Sequence, residues 1–192
     1  MIRPQLCRRL MLALAALIGS GAVACADDLQ LCHDQSGDAA IAACTRAIET
    51  GHWSKKNLAV AYTSRGVEWR AKGEVDRAIA DYTEAIRIDP AAYLAFYNRA
   101  NAYRQKGELD RAVADYDAAI RLDPVGYFAF YNRGNAYMQK GELDRAVADY
   151  DAAIRLNRND ADMYHNRAIA YQRKGDQASA DADLAAEKRL RR

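Results

Sequence analysis

A hydrophobic pattern with the spacing of an α-helix runs through residues 109–122, LDRAVADYDAAIRL. One face of such a helix carries its apolar residues, which are Leu109, Ala112, Val113, Tyr116, Ala119 and Ile120. Asp110 near its start and Arg121 near its end suit the helix dipole. Gly107 marks a turn before the helix, and Pro124 prevents its continuation. The pattern therefore predicts a helix that buries one face against a neighbour.

The same pattern returns after 34 residues. Residues 97–122 and 131–156 differ at only two positions, Ala100/Gly134 and Arg104/Met138. Weaker copies precede and follow them, so that four repeats occupy 59–92, 93–126, 127–160 and 161–192. A fixed period of this length predicts helical hairpins stacked into a solenoid.

Several residue types recur at the same place in each repeat. A small residue comes early, at Gly66, Ala100, Gly134 and Ala168. An aromatic residue follows three positions later, at Trp69, Tyr103, Tyr137 and Tyr171. Next come a glycine (Gly73, Gly107, Gly141, Gly175) and an alanine (Ala78, Ala112, Ala146, Ala180). This pattern resembles that of the tetratricopeptide repeat (TPR) family throughout residues 59–192.

The resemblance implies an all-α fold, a right-handed α-solenoid of stacked antiparallel helix pairs. One hairpin of this size cannot bury its apolar face alone, so neighbouring repeats must stabilise each other. Residues 27–58 are predicted to form an N-terminal helical cap and a connector, since AIAACTRAI at 40–48 parallels AVADYDAAI at 112–120.

The first 26 residues have the pattern of a secretory signal peptide. Arg3, Arg8 and Arg9 precede a short apolar run at 10–18, and Ala24-Cys25-Ala26 resembles a cleavage site. We therefore expect an exported protein, periplasmic or secreted, with a mature chain that starts at Asp27. A lipid anchor on Cys25 is the alternative, although Ala22 stands where lipoprotein signals usually have leucine.

The mature chain would keep two cysteines, Cys32 and Cys44. An even pair in an exported protein favours a disulfide, here between the two helices of the cap. The closed loop of about 13 residues predicts roughly 3 kcal/mol of stabilisation in the chain-entropy model. Cys32, His33, Cys44 and His52 match no recognised zinc spacing, so we expect no metal. Trp53 is predicted to pack where the cap joins the array.

Charge and motifs argue against an enzyme or a nucleic-acid-binding protein. The chain has 28 basic and 26 acidic residues, and loss of the leader would change its net charge from +2 to −1. No catalytic constellation, phosphate-binding glycine loop or haem motif occurs, and no cofactor is expected. Arginines and aspartates recur with the period, at Arg65, Arg99, Arg133, Arg167 and at Asp81, Asp115, Asp149, Asp183. We interpret them as bonds between helices; a row of anion-binding arginines is the alternative.

The resemblance also implies a binding groove, because the first helix of each TPR hairpin lines a concave surface. By register, this groove carries Tyr97, Asn98, Asn101, Tyr131, Asn132, Asn135, His165 and Asn166. Asparagine disfavours helix interiors, and its amide can donate to and accept from a peptide backbone. The row is similar to the asparagine ladder of the O-linked N-acetylglucosamine transferase's repeat domain. Copying of the repeat by duplication explains it equally well.

These observations predict a non-catalytic scaffold or adaptor of the cell envelope that binds a protein or peptide partner in the groove. The chain would have no membrane span. The alternative is a structural subunit that associates through the exposed ends of the array. Catalysis is the third and weakest interpretation.

Overall fold

The computed structural model describes residues 25–50 and 53–192, and these ranges contain ten helices and no strand. The helices are α1 (Cys25–Asp34), α2 (Gly37–Thr50), α3 (Lys55–Ala71), α4 (Val75–Ile88), α5 (Tyr93–Gln105), α6 (Leu109–Leu122), α7 (Tyr127–Lys140), α8 (Leu143–Leu156), α9 (Ala161–Lys174) and α10 (Gln177–Leu190). The predicted signal peptide and lipid anchor lie outside the described residues, except that the backbone of Cys25 and Ala26 begins α1.

Consecutive helices form five packed pairs, from α1–α2 to α9–α10, and each pair stacks on the next. The first helices of the array, α3, α5, α7 and α9, contact one another in sequence. In the described chain, the second helices α4, α6, α8 and α10 make no such contacts with each other. The first helices therefore line the inner face of the stack, and the predicted all-α solenoid with a helical cap is confirmed.

The turn within each hairpin contains a glycine with a positive φ, in the left-handed region of backbone conformation. Gly141, which follows α7, has φ 78°, and its N–H donates to the Met138 carbonyl at 3.2 Å. Glu142 then donates to the Tyr137 carbonyl at 2.9 Å. These bonds satisfy carbonyls at the helix end, and a residue with a β-carbon would be strained at this φ. The periodic glycine in the sequence thus reflects backbone geometry.

The periodic small residue allows two helices to approach closely. A β-carbon added at Gly134 would lie 2.8 Å from the Cε1 atom of Tyr150, and one added at Gly66 would lie 2.6 Å from that of Tyr82. Tyr82, Tyr116 and Tyr150 are fully buried beneath the first helices. The helix pairs therefore pack around one large aromatic ring that fills the space opposite a small residue.

The cap contains the predicted disulfide between Cys32 and Cys44, whose Cα atoms are 4.6 Å apart. Both cysteines are buried with Ala61 of α3, so the cap packs directly on the first repeat. Trp53 lies in the same cluster and donates from Nε1 to the Ala47 carbonyl at 2.7 Å. It therefore packs where the cap meets the first repeat, as predicted. Helix α3 begins at Lys55, before the predicted start of the repeat at 59, because Ser54 caps it.

The recurring arginines bond helices together, which confirms the structural interpretation. Arg133 donates from Nε and Nη2 to both carboxylate oxygens of Asp149, at 2.8 and 2.7 Å. Its Nη1 reaches Asp117 in the preceding repeat. Arg65, Arg99 and Arg167 make the equivalent bidentate contacts with Asp81, Asp115 and Asp183. Each of these guanidinium groups is therefore engaged within the protein and does not face an external anion.

Candidate peptide-binding groove

All eight predicted groove residues lie on the inner helices and are partly buried. Helix α5 carries Tyr97, Asn98 and Asn101; α7 carries Tyr131, Asn132 and Asn135; α9 carries His165 and Asn166. The structure places them in one continuous row across three neighbouring helices, because these helices contact each other along the array.

Two of the asparagines connect adjacent repeats. The Nδ2 atom of Asn132 donates to the Tyr97 hydroxyl at 3.0 Å and to the Phe128 carbonyl at 2.9 Å. The Nδ2 atom of Asn166 donates to the Tyr131 hydroxyl at 2.7 Å and to Asn135 Oδ1 at 3.0 Å. Both N–H groups of each amide are therefore used within the array. Each amide can offer a ligand only its carbonyl oxygen, as an acceptor for a backbone N–H.

A second pair of asparagines binds the buried tyrosines. Asn101 Oδ1 accepts from the Tyr116 hydroxyl at 2.6 Å, and Asn135 Oδ1 accepts from the Tyr150 hydroxyl at 2.7 Å. These bonds anchor the inner helix to its partner in the same hairpin. Asn98 differs, since its side chain has no hydrogen-bond partner in the described part of the chain. It retains both donor and acceptor for a ligand.

Burial keeps the tyrosine hydroxyls protonated. It raises the pKa of Tyr116 to about 12, although the neighbouring Arg104 guanidinium opposes this shift. The pKa of Tyr150 is also raised by burial. Both phenols therefore act as neutral hydrogen-bond donors to Asn101 and Asn135, and their environment does not activate them as nucleophiles.

An apolar cleft of about 370 Å³ lies at the edge of the groove, between the first turns of α5 and α7, and Ala119 of α6 and the turn that follows α6 close its other side. Its wall includes Leu94, Tyr97 and Phe128, and the residues Leu94 and Phe128 are 48% and 52% exposed. Val60 holds the same position one repeat earlier and is 41% exposed. Sequence reasoning did not select these residues. The available signal was an apolar residue in register at 60, 94 and 128, outside the stripe that packs the hairpin.

A second cleft, of about 260 Å³, lies over the buried Tyr150. It is more polar than the first, and its lining includes Arg104, Asn135 and Asn166. One groove thus presents an apolar site and a polar, cationic site on neighbouring repeats.

Comparison with known sequences gives a family assignment. The family described as TPR repeat matches three successive overlapping segments, residues 66–105, 100–141 and 134–175. The chain belongs to the TPR family. No curated protein matches the sequence significantly.

Solved structures show the same TPR fold. A crystal structure of MamA protein is 23% identical, with 80% of this chain and 81% of that chain aligned at a TM-score of 0.71. MamA from Desulfovibrio magneticus RS-1 is 16% identical, with 88% and 97% aligned at a TM-score of 0.76. BtubC from P. vanneervenii is 20% identical, with 79% and 72% aligned at a TM-score of 0.73. At these identities, the likeness concerns the fold alone.

At the α9–α10 end of the TPR array, the acidic side chains Asp162 and Glu187 are paired with basic ones. His165 Nδ1 lies 3.0 Å from Glu187 Oε2, and hydrogen bonding to His165 lowers the pKa of Glu187. Asp162 pairs with Arg191 at 2.7 Å.

Over residues 25–50 and 53–192, no three His, Cys, Asp or Glu side chains are grouped to hold a metal ion. Among the helices described, none has the length and apolar character to cross a bilayer.

Proposed function

We propose that this TPR protein is an exported, non-catalytic scaffold that binds an extended peptide or a helix of a partner protein in its inner groove. The observation that carries the proposal is the cleft between Leu94 and Phe128. Two large apolar side chains, each about half exposed, flank a concave site beside a row of amides. Apolar surface exposed in register on the concave face is typical of a protein-binding site.

The neighbouring polar groups suit a peptide backbone. Asn98 offers an amide with no internal partner in the described chain, and Asn132 and Asn166 offer carbonyl oxygens. An apolar ligand side chain would enter the cleft, while ligand N–H groups would bond to these acceptors. The burial of apolar area would supply the affinity, and the amides would set the direction and register of the ligand.

Matched surface variants test the proposal. Leu94→Ser and Phe128→Ser remove the apolar walls of the cleft, whereas Leu122→Ser and Leu156→Ser change leucines that are each 42% exposed at the ends of second helices. Each variant would be used for affinity capture with crosslinking from the native envelope. We expect the groove variants to lose the captured partner and the controls to retain it. Capture that is unchanged in the Leu94→Ser, Phe128→Ser double variant would contradict groove binding.

The alternative of a structural subunit is tested by the same series. Leu190 at the last helix is 39% exposed, so association through the end of the array should depend on it. Loss of the captured partner only in Leu190→Ser would favour that alternative.

Export is tested separately by the intact mass of the native protein. We expect a chain that starts at Asp27, and a lipid-bearing Cys25 would establish the anchored form.

A further inference from the structure

The cleft at the edge of the groove is lined by one charged side chain. Asp123, in the turn that follows α6, is half-buried and lines this cleft together with Leu94 and Phe128. The other lining residues that the structure describes are apolar or aromatic. No lysine, arginine or histidine therefore neutralises Asp123 inside the cleft.

The carboxylate of Asp123 is only partly used within the described chain. Its Oδ1 atom accepts one hydrogen bond, from the backbone N–H of Val125 at 3.3 Å, and it forms no ion pair with any described residue. Its Oδ2 atom lies against Gly126, where an added β-carbon would be 2.6 Å away. The missing side chain of Gly126 thus leaves room for the second oxygen. A carboxylate can accept about four hydrogen bonds, so most of this capacity remains for a ligand.

The electrostatic sign of the cleft follows from Asp123. Helix α6 ends beside it at Leu122, and the carboxyl end of a helix carries a charge of roughly −0.5. Helix α7 begins at Tyr127, and its N-terminus carries roughly +0.5, which cancels that contribution. The full negative charge of the carboxylate is left, so the cleft attracts a cation.

Aromatic rings beside a carboxylate suit a basic side chain, because the face of a ring attracts a cation. The protein already holds one arginine in such surroundings. The guanidinium carbon of Arg111 lies 3.9 Å from the centre of the Tyr103 ring, and its Nη1 atom donates to Glu108. The cleft offers the same two kinds of partner, a carboxylate and three aromatic side chains, which are Tyr93, Tyr97 and Phe128.

We propose that this cleft binds a lysine or arginine side chain of the partner, with the cationic group at Asp123 and the aliphatic stem against Leu94 and Phe128. This rests on the proposed function and specifies its apolar contact as the stem of a basic residue. Lysine and arginine stems commonly cover apolar surface while the charged group finds a polar partner. Binding should weaken as salt increases, because salt screens the ion pair.

The repeats supply matched variants for the charge. Asn157 stands where repeat 2 has Asp123, and it accepts the same turn bond, from the Asn159 N–H at 3.2 Å. Asp123→Asn therefore removes the charge and retains the turn. Asp89→Asn is the control, since Asp89 accepts the equivalent bond from Ala91 at 3.0 Å but does not line this cleft.

A third variant tests the aromatic wall. Phe128→Leu removes a ring and keeps an apolar side chain, and Leu94 already holds the equivalent position in the preceding repeat. Circular dichroism would confirm that all three variants remain helical.

The experiment is selection of a random dodecapeptide library, displayed on phage, against the immobilised protein. We expect enrichment of Arg and Lys in peptides selected by the native protein and by Asp89→Asn, but not in peptides selected by Asp123→Asn. Fluorescence anisotropy would then compare a selected peptide with a counterpart that carries citrulline for arginine, or acetyl-lysine for lysine. The native protein should bind the charged peptide about 10-fold more tightly. This ratio should fall to about 1 in Asp123→Asn and should decrease in Phe128→Leu.

Three results would overturn the inference, and they are distinguishable. Peptides without basic enrichment, whose binding is lost in the Leu94→Ser, Phe128→Ser double variant, would refute the basic-residue site and leave the groove as a binding site. Basic enrichment that persists in Asp123→Asn would refute it as well, because another charge would then be responsible. Absence of any peptide enrichment over a blank support would overturn the groove function and this inference together.

Discussion

The side-chain nitrogen of Asn166 lies 2.7 Å from the hydroxyl of Tyr131, one repeat earlier in the array. Asn132 and Tyr97 make the same contact at 3.0 Å. The asparagine row therefore bonds neighbouring first helices to each other, whether or not it also binds a ligand. The duplicated sequence keeps both partners in register, so one hydrogen bond recurs at two successive repeat junctions.

This contact changes what alanine substitution should do. Alanine is the better helix former, so sequence alone predicts that replacing the asparagines is neutral or stabilising. Because the inter-repeat bond is lost, we instead expect Asn132→Ala and Asn166→Ala to lower the free energy of unfolding by about 0.5–1.5 kcal/mol each. Urea unfolding followed by circular dichroism measures this.

Asn98→Ala is the internal control, because Asn98 has no hydrogen-bond partner in the described chain. Its stability should equal or slightly exceed that of the native protein, while its affinity for a groove ligand should decrease. Equal stability losses at all three asparagines would mean that the inter-repeat bonds contribute nothing.

The buried tyrosines offer a second test. In repeat 2, the Tyr116 hydroxyl donates to Asn101 at 2.6 Å. In repeat 1, Tyr82 takes the place of Tyr116, and Val67 takes the place of Asn101. The Tyr82 hydroxyl is therefore buried with no hydrogen-bond partner in the described chain. Arg70 lies near that hydroxyl but cannot accept its proton. We expect Tyr116→Phe to cost about 1 kcal/mol and Tyr82→Phe to be neutral or stabilising.

The complementary variant Val67→Asn introduces the missing acceptor. Val67 itself packs against the Tyr82 cluster, so its replacement also loses apolar burial. A new hydrogen bond to the Tyr82 hydroxyl should offset about 1 kcal/mol of that loss, and it should do so only when the hydroxyl is present. Thermal or urea unfolding of the four combinations forms a double-mutant cycle. A coupling energy of zero would show that the introduced amide does not bond to the Tyr82 hydroxyl.

Alkaline pH should destabilise the array. Burial raises the pKa of Tyr116 from 10.0 to about 12, so the unfolded state releases this proton first. Its contribution to stability is therefore present below pH 10 and decreases as pH rises to about 12. Each pKa unit corresponds to about 1.4 kcal/mol, so Tyr116 accounts for at most about 3 kcal/mol. Helicity measured against pH, with Tyr116→Phe as the comparison, tests this; an identical loss in both proteins would exclude Tyr116 as a cause.

Reduction of the Cys32–Cys44 disulfide should destabilise the N-terminal end first. The bond connects α1 to α2, and both sulfurs lie in the cluster that packs the cap on α3. We expect a loss of about 2–4 kcal/mol, confined to the cap, because the repeats of a solenoid are coupled only to their neighbours. Hydrogen exchange should accelerate in α1 and α2 and stay unchanged in α7 to α10. Free thiol labelling in the native, unreduced protein would contradict the disulfide.

Local periodicity was enough to predict the fold class, the register of the hairpins and the Arg–Asp pairs, and the even pair of cysteines added the disulfide of the cap. The signals are apolar residues at helical spacing, glycines where φ must be positive, and partners 16 residues apart within one hairpin, such as Arg133 and Asp149. Because each of these signals recurs in every 34-residue repeat, the prediction does not depend on any single position.

Packing between repeats decides which of the groove residues form hydrogen bonds within the protein. Asn132 and Asn166 bond to Tyr97 and Tyr131 of the preceding repeat, and only the packed array shows that these side chains meet. Asn98 has no such bond because Thr63 stands where the later repeats have tyrosine. The repeat pattern marks Leu94 and Phe128 as apolar residues in register, but only the packed array shows how far they are exposed and that the Nε atom of Arg104 is buried without a hydrogen-bond partner in the described chain. The reason is physical: these properties depend on how one helix pair is positioned on the next, and side chains on different repeats reach their mutual distances only when the whole array is packed.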